Sequence, residues 1–545
     1  MTSMRNRFLF TLLTTAIALR RPASAADQRK AQLSPETCTS LQAFVIPASA
    51  IGLPSTGATV RTAAMVSGSE KGNINGDFCK VIGVVKPHNP VSPNLEFEVN
   101  LPATWNRRVV QMGGGGYDGS LVTGLTVYSN QTPDTDTPLK RGYVTLGSDG
   151  GHKGGAGFDG KFGLDDEALL NFGKQSVKKT HDAAIAVIRK AYGQRPERFY
   201  FIGGSQGGHE ALDAAARYPQ DYDGIVANYP AYNVTMLHLG SLNVGRALYA
   251  EGGAGWINPK KTKLIGDAVL SKCDALDGAQ DGIISNVKAC NAAFDISMLR
   301  CRDGADTGDT CLSDAQIRAV RMIDSPYKPG VTIAGMDTFP KWALLEGATF
   351  QGRSNFGQVS QPSNPISGKE ALEYSAGDQT VKFIFTRNPN YDPLKFDPTQ
   401  WKQRIAIVAS IMDVTDVSLD KFRAKGGKII MTHGTADDFI TPYNSIEYYK
   451  RQLAYFGQDR LNSFLRFYLI PGFDHGFGVF NAKFDSFSAL EDWVEKGQPP
   501  SGLTAMDGNA NANRTRPLCE YPKWPKFTGA VGSENSAASF TCVAE

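Results

Sequence analysis

The chain has 545 residues, of which 41% are hydrophobic, 20% charged and 10% aromatic, and this balance excludes an intrinsically disordered protein. The formal charge of +3 depends on the amino terminus, because the first 25 residues contain four arginines and no acid. The remainder has 53 basic and 54 acidic residues, so no basic surface for nucleic acid is expected.

The amino terminus has the three regions of a secretory signal peptide in order. Arg5 and Arg7 precede an apolar run from Phe8 to Leu19, and Ala23-Ser24-Ala25 offers a small-residue cleavage site. This run is too short to span a bilayer, and no later segment reaches that length. We therefore predict a signal peptide over residues 1–25 and a secreted or periplasmic protein that is not held in a membrane.

The eight cysteines all follow the predicted signal peptide, and their even number favours disulfides in an exported protein. Their spacing is not that of a zinc site. Eight cysteines allow 105 pairings, of which we favour pairing between sequence neighbours because each bond would then close one local segment. The cysteines are Cys38, Cys79, Cys273, Cys290, Cys301, Cys311, Cys519 and Cys542.

Between Cys79 and about Pro230 the sequence alternates short β-branched runs with helical stretches, which predicts a mostly parallel α/β sheet. Leu169 to Tyr192 and the HEALDAAARYP segment are predicted helices. The predicted strands, including two that resume the pattern late in the chain, are 95–100, 108–112, 143–146, 199–202, 225–228, 428–432 and 464–470.

The pattern changes between Ala231 and about Gln403, where cysteines, glycines and prolines interrupt it. This stretch is too long for a loop, and we interpret it as an inserted domain. The predicted organisation is a core over residues 26–230, an insertion over 231–402 and a second core segment over 403–545.

Ser205 lies in Gly203-Gly204-Ser205-Gln206-Gly207, between a predicted strand and a predicted helix. In that context the G-x-S-x-G pattern places a serine hydroxyl on a strained turn above the edge of the sheet. The alternative is an ordinary glycine turn. The strand and helix on either side favour a serine nucleophile.

A serine nucleophile needs a base, and the base needs an orienting acid. In α/β-hydrolases the chain order is serine, acid, histidine. His475 and Asp437 each follow a predicted strand and fit that order, with Asp438 and Asp474 as alternative acids. We predict that His433, at a strand end, is structural.

An oxyanion requires two backbone N–H donors. Gln206 follows the nucleophile, and the glycine loop Gly113 to Gly116 follows an early strand, so we predict Gln206, Gly115 and Gly116 as donors. No Lys-Ser/Thr follows the glycine loop, which excludes a P-loop.

The inserted segment contains CDALDGAQDGI, in which Asp274, Asp277 and Asp281 stand close together between glycines. Such a loop can bind a hard cation through oxygen atoms, although it lacks the EF-hand spacing. The alternative is a solvated acidic turn.

Taken together, GGSQGGHEALDAAARYPQDYDGIVANYPAYN, the GGGG loop, CDALDGAQDGII, HGTAD and PGFDHG closely resemble the tannase and feruloyl esterase family. The resemblance covers essentially the whole mature chain. It implies an α/β-hydrolase fold with a large inserted lid, an esterase acting on aromatic acid esters, and Ser205, Asp437 and His475 as the catalytic triad.

The resemblance also implies a structural calcium ion in the lid, held by Asp274, Asp277 and Asp281 and by the carbonyls of Ala279 and Ile283. It supports the disulfides Cys38–Cys79, Cys273–Cys290, Cys301–Cys311 and Cys519–Cys542. The chain departs from the family at Gly204 and Gly476, where members typically carry a joined pair of cysteines. That departure indicates a divergent branch.

The sequence therefore predicts a secreted serine esterase whose partner is a small aromatic ester. We place the acyl pocket between the lid and the glycine loop, with Arg353, Phe356, Phe439 and Ile440 as candidate substrate-binding residues, although aromatic residues of an insertion are more often its own core. The alternatives are a non-catalytic binding protein on the same fold, a peptidase, and a hydrolase of non-aromatic esters.

Overall fold

The computed structural model describes residues 31–128, 130–154, 158–348, 356–510 and 512–544. The predicted signal peptide and Arg353 lie outside these ranges. A ten-stranded sheet forms the centre of the described structure. Its strands are β1 Val45–Ile46, β2 Ala58–Val66, β3 Phe78–Val85, β4 Leu95–Pro102, β5 Arg108–Met112, β6 Val144–Ser148, β7 Arg198–Gly204, β8 Gly224–Asn228, β9 Lys428–Gly434 and β10 Leu465–Ile470.

The strands lie in the order β10-β9-β8-β7-β5-β6-β4-β3-β2-β1. Neighbours from β10 to β6 are parallel, and β4 to β1 are antiparallel to their neighbours. The seven predicted strands are confirmed as β4 to β10. The prediction of a mostly parallel sheet is corrected to a mixed sheet, because β1, β2 and β3 were not recognised in the sequence.

Side chains alternate between the two faces of the sheet, as the period of an extended strand requires. Phe201, Ile225 and Ile429 belong to the larger hydrophobic core, which also includes residues of the insertion. Tyr200 and Val226 belong to a smaller core on the opposite face. Burial on both faces explains why the parallel strands are continuous apolar runs.

Helices cover both faces and make up the connections between β6 and β10. They are α1 Pro35–Thr39, α2 Asp166–Leu170, α3 Ser176–Tyr192, α4 Gln206–Arg217, α5 Val234–Tyr249, α6 Pro259–Cys273, α7 Val287–Ala293, α8 Asp314–Ile323, α9 Leu372–Gln379, α10 Lys402–Met412, α11 Asp420–Lys425, α12 Pro442–Phe456, α13 Gln458–Asn462 and α14 Ser486–Lys496. The predicted helix over 169–192 corresponds to α2 and α3, which a π-helical turn at Asn171–Gln175 connects.

The chain leaves the sheet after β8 and returns at β9, although these two strands are parallel neighbours. In between it forms α5 to α11, and its described part adds no strand to the central sheet. Side chains of this insertion, such as Leu237 and Phe339, share one buried core with the sheet. The insertion is therefore packed onto the sheet. Its limits at 231 and 402 remain a prediction.

Short strands complete the structure. Ala31–Gln32 pairs with Thr104–Trp105, and two small antiparallel sheets follow α12. The strands of these two sheets are Ala482–Lys483, Thr504–Asp507, Thr515–Pro517, Trp524–Phe527 and Phe540–Val543.

All eight cysteines form disulfides in the four sequence-neighbour pairs that the sequence favoured. The bonds join Cys38 to Cys79, Cys273 to Cys290, Cys301 to Cys311 and Cys519 to Cys542. Each bond closes a segment of 10 to 41 residues. None of the helices in the described ranges is long and apolar enough to cross a membrane.

Candidate active site

Ser205 occupies the turn between β7 and α4, at the carboxyl edge of the sheet. Its backbone has φ 60° and ψ −121°, a conformation that non-glycine residues rarely adopt. The turn is closed so tightly that a β-carbon at Gly203 would lie 2.2 Å from the carbonyl oxygen of Gly207. These glycines allow the strand and the helix to approach each other, and the serine hydroxyl projects from the turn.

The structure brings Ser205, His475 and Asp437 together. His475 Nε2 lies 2.9 Å from Ser205 Oγ, and His475 Nδ1 lies 2.9 Å from Asp437 Oδ2. The carboxylate can only accept, so Nδ1 carries the proton and Nε2 accepts the serine hydroxyl. An imidazole held in this way can remove the proton of the hydroxyl as the oxygen attacks an electrophile.

Asp437 is fully buried at the end of β9. Its Oδ1 accepts hydrogen bonds from the backbone N–H groups of Phe439 and Ile440 at 3.0 and 2.8 Å. Burial alone would raise the pKa of Asp437, but the charge of His475 and the hydrogen bonds from His433 and His475 hold that pKa well below its usual range. Asp437 is therefore an anion at neutral pH.

The interaction between Asp437 and His475 shifts the pKa of the histidine in the opposite direction, upward. Burial would lower the pKa of His475, but the Asp437 carboxylate raises it above the ordinary value of 6.5, with a smaller contribution from Asp474. Asp437 thus makes the imidazole a stronger base as well as fixing its tautomer.

The other residues considered for the triad have different places. His433 is buried, with Nδ1 2.7 Å from Ser445 Oγ and Nε2 2.7 Å from the carbonyl oxygen of Ile440. Its Nε2 also lies 3.2 Å from Asp437 Oδ2, so it supports the acid. Asp474 accepts the backbone N–H of His475 at 2.7 Å, and Asp438 is buried. The carboxylate at His475 Nδ1 is that of Asp437.

The glycine loop Gly113 to Gly116 lies beside the serine. The Gly207 N–H donates to the carbonyl oxygen of Gly114 at 3.1 Å, which joins the loop to the start of α4. Within the described residues, the backbone N–H groups of Gln206, Gly115 and Gly116 donate to no backbone carbonyl, and the Gly115 N–H is directed at the Asp118 carboxylate. Gln206 follows the serine and the glycine loop lies beside it, so an oxyanion hole formed by these N–H groups stays a prediction.

Two buried carboxyl groups support this loop, and the sequence gave no indication of them. Glu210 Oε2, on α4, accepts the backbone N–H of Gly114 at 2.8 Å. Burial raises the pKa of Glu210 to about 7. Burial and the charge of Glu210 raise the pKa of Asp118 well above its usual range.

A cleft of about 440 Å³ opens at Ser205 and His475. The glycine loop lines one part of it, and the segment from Val122 to Tyr128 lines another. Among the described residues that line it there is no Asp, Glu, Lys or Arg. A pocket of this size and apolar character suits a small ligand.

The four predicted substrate-binding residues do not all lie at the cleft. Phe439 packs edge-on against the ring of His475, with 5.1 Å between ring centroids, and therefore borders the site. Ile440 is buried and contacts the triad through its backbone. Phe356 is buried in the hydrophobic core and is not among the residues lining the cleft, so its predicted contact with substrate is not seen. Arg353 lies outside the described residues.

The acidic loop of the insertion follows α6 and is enclosed by the Cys273–Cys290 disulfide. Burial raises the pKa values of Asp274 and Asp277, and the charge of Asp281 raises both further. The Asp281 carboxylate therefore lies close enough to act on each of the other two, and it is itself paired with Arg516.

The carbonyl oxygens of Ala279 and Ile283 accept no hydrogen bond from the described residues, and both residues are buried. Carboxylate and carbonyl oxygens are the ligands that calcium prefers, so the chemistry of this donor set fits the ion. The described residues contain no cluster of three or more His, Cys, Asp or Glu side chains arranged to hold a metal. The loop thus fits a calcium ion in the type and charge of its oxygen ligands.

The amino-acid sequence of this chain is similar to those of a family of esterases. The model of the family described as "Tannase and feruloyl esterase" matches residues 79–543. An uncharacterized esterase of Agrobacterium fabrum is 38% identical over 96% of this chain and 95% of its own. The mono(2-hydroxyethyl) terephthalate hydrolase of Piscinibacter sakaiensis is 31% identical over 86% of this chain and 85% of its own.

A solved structure gives the same result for the fold. The crystal structure of feruloyl esterase B from Aspergillus oryzae superposes with a TM-score of 0.75, at 22% identity, over 93% of this chain and all of the other. Together with the strand order, this likeness confirms the α/β-hydrolase fold, onto which the large insertion packs.

Proposed function

The chain belongs to the tannase and feruloyl esterase family of carboxylic ester hydrolases, and from this we propose that it is an exported serine esterase that hydrolyses esters of aromatic carboxylic acids. The observation that carries the proposal is the hydrogen-bonded series Ser205, His475 and Asp437 at the mouth of a cleft beside a glycine loop.

In the proposed reaction Ser205 Oγ attacks the ester carbonyl while His475 Nε2 takes the hydroxyl proton. The N–H groups of Gln206 and of Gly115 or Gly116 stabilise the oxyanion. The tetrahedral intermediate collapses, its bond to the alcohol oxygen breaks, and His475 returns the proton to the leaving alcohol. A water molecule, deprotonated by His475, then attacks the acyl-enzyme. The bond between the acyl carbon and Ser205 Oγ breaks, His475 returns the proton to Oγ, and the carboxylic acid leaves.

The aromatic substrate class is supported by the surroundings of the triad and by the relatives. Tyr128 lines the cleft, and Phe439 packs against the ring of His475. A planar acyl group can pack between such rings. One relative acts on a terephthalate monoester, according to its name, and feruloyl esters give the family part of its name.

The esterase proposal is tested with Ser205→Ala and a chromogenic short ester. We expect hydrolysis to fall by several orders of magnitude while the circular dichroism spectrum is unchanged, because the variant lacks only the attacking oxygen. Near-normal turnover would remove the mechanism. Matched amides, assayed beside the esters, distinguish an esterase from a peptidase.

The substrate class is tested separately by comparing kcat/KM for hydroxycinnamate, gallate and terephthalate monoesters with kcat/KM for aliphatic esters of similar size. We expect the aromatic esters to be preferred. An aliphatic preference of roughly tenfold, or about 1.4 kcal/mol in transition-state binding, would contradict the aromatic proposal and leave the esterase proposal intact.

We further propose that a calcium ion binds the acidic loop through Asp274, Asp277, Asp281 and the carbonyls of Ala279 and Ile283. Bound there, the ion neutralises the carboxylates of the loop and links its two halves. Its proposed role is structural, because these residues lie in the insertion and not among those that line the cleft.

Export is proposed from two features. The amino terminus has the order of regions that signal peptidase recognises, and the structure pairs all eight cysteines, which requires an oxidising compartment in most organisms.

A further inference from the structure

The ring of Tyr229 fills the space between the turn that carries Ser205 and the loop that carries His475. Tyr229 directly follows β8 and is 5% exposed. A β-carbon at Gly204 would lie 2.8 Å from the outer atoms of the tyrosine ring, and one at Gly476 would lie 3.3 Å from its hydroxyl oxygen. Glycine is therefore needed at 204 for the ring to occupy this place.

The same ring packs against the imidazole of His475. Their centroids are 4.7 Å apart and their planes meet at 53°. Phe439 contacts the imidazole as well, with centroids 5.1 Å apart. An imidazole packed against two aromatic rings has little freedom to rotate, so its Nε2 stays directed at Ser205 Oγ.

The backbone of Tyr229 connects the strand ends that carry the triad. Its N–H donates to the carbonyl oxygen of Thr432, on β9, at 2.6 Å. The preceding residue, Asn228, accepts the N–H of Ser205 at 3.0 Å. Tyr229 has φ 34°, which is rare for a bulky side chain and persists only where the surroundings determine it.

We propose that Tyr229 is a positioning residue whose ring joins the serine turn to the histidine loop by packing between them, an inference that rests on the proposed function. It explains the glycine at 204, and the ring also lies beside the glycine at 476. At 204 and 476, where the resemblance predicts joined cysteines, the tyrosine ring takes the volume between the two loops. The link is then steric rather than covalent.

The test compares Tyr229→Ala, Tyr229→Phe, Gly204→Ala and the double variant Tyr229→Ala/Gly204→Ala, with Tyr448→Ala as a matched control. Tyr448 is a buried tyrosine that packs against Tyr232. Each variant is assayed for kcat, KM and melting temperature on one chromogenic ester, and for the rate at which a fluorophosphonate labels Ser205.

We expect Tyr229→Ala to lower kcat and the labelling rate at least tenfold with KM within about threefold of the wild type. Tyr229→Phe should retain at least a third of kcat, because the ring remains. Tyr448→Ala should destabilise the fold without lowering kcat at a temperature where it is folded. Gly204→Ala should lower kcat at least tenfold relative to the wild type. Added to Tyr229→Ala, the same substitution should lower kcat less than about threefold further, because the ring that its β-carbon would meet is absent.

The proposal is overturned if Tyr229→Ala keeps kcat within twofold, or if the effects of the two substitutions simply multiply. If Tyr229→Ala does not fold, the Gly204→Ala variant alone tests the proposal. A kcat equal to that of the wild type in Gly204→Ala would contradict the steric link. An active Ser205→Ala would instead refute the proposed function. The two failures are thus distinguishable.

Discussion

Asp437 accepts hydrogen bonds from two histidines and two backbone amides. The charge of His475 and the hydrogen bonds from the two histidines keep its pKa below the usual range despite complete burial. One histidine, His475, also contacts the serine, and the other, His433, is held by Ser445 and the carbonyl of Ile440. Both histidines contact Asp437, but only His475 reaches Ser205 and can act as its base.

The first prediction concerns the pH dependence of the reaction. His475 must be neutral to accept the serine proton, and its pKa is raised above 6.5. We expect kcat/KM to fall as the pH decreases through an apparent pKa above 6.5. Asp437→Asn should lower kcat by roughly 10⁴-fold and shift the apparent pKa of His475 downward, because the main charge that opposes the effect of burial is then gone. A pH–rate profile with no limb above pH 6.5 would contradict this account.

The second prediction concerns Glu210, whose pKa burial raises from 4.5 to about 7. An acid with a raised folded-state pKa destabilises the fold progressively as the pH rises from about 4.5 through 7. Glu210→Gln keeps an acceptor for the Gly114 N–H and cannot ionise. It should therefore stabilise the protein by about 3 kcal/mol at pH 8 and have little effect at pH 4, as measured by urea unfolding.

Glu210→Ala is the matched control for this substitution. It also removes the ionisable group, but it leaves the Gly114 N–H without its acceptor, so we expect a lower kcat than for Glu210→Gln. Equal kcat values for the two variants would show that the carboxyl group does not support the oxyanion loop.

At the scale of single residues, sequence patterns predicted the functional residues that follow strands and missed those that act through packing. Ser205, Asp437 and His475 could be chosen because each lies just after a strand, in an order that the fold imposes. Glu210 and Tyr229 could not, because their roles depend on the distance of Glu210 from Gly114 and of Tyr229 from Gly204 and Gly476, which no local pattern encodes.

At the scale of elements, the parallel strands were predictable and the antiparallel edge was not. Strands β7 and β8 are buried on both faces and are continuous apolar runs. Strand β2 has the sequence ATVRTAAMV, with small and polar residues and partial exposure, so its alternation is weak. Its pairing depends on backbone hydrogen bonds to β3, which the side-chain pattern does not reveal.

The acidic loop provides a third prediction at this scale. Calcium that binds only the folded protein stabilises it, so a chelator should lower the melting temperature of the wild type. Asp277→Asn should lower the melting temperature and reduce the response to chelator. Asp267→Asn, at an exposed position on α6, should leave that response unchanged. An unchanged melting temperature together with no calcium by elemental analysis would defeat the proposal.

At the scale of the whole molecule, the insertion and the sheet form a single packed unit. Strands β8 and β9 are neighbours although the insertion separates them in sequence, and both cores of the sheet extend to the ends of the strands that carry the triad. The sheet fixes where the serine, acid and histidine meet. The sequence predicted that meeting point from chain order, but the lining of the cleft by the segment from Val122 to Tyr128 was not predicted, since that segment has no periodic pattern.

The central claim is that Ser205 is a nucleophile activated by His475, and covalent trapping tests it most directly. The protein is treated with a fluorophosphonate, and the site of the adduct is mapped by peptide mass spectrometry. We predict one adduct per chain, on the peptide that contains Ser205, with none in Ser205→Ala and much slower formation in His475→Ala. The absence of an adduct on the folded wild type, or an equal adduct on Ser205→Ala, would contradict the claim.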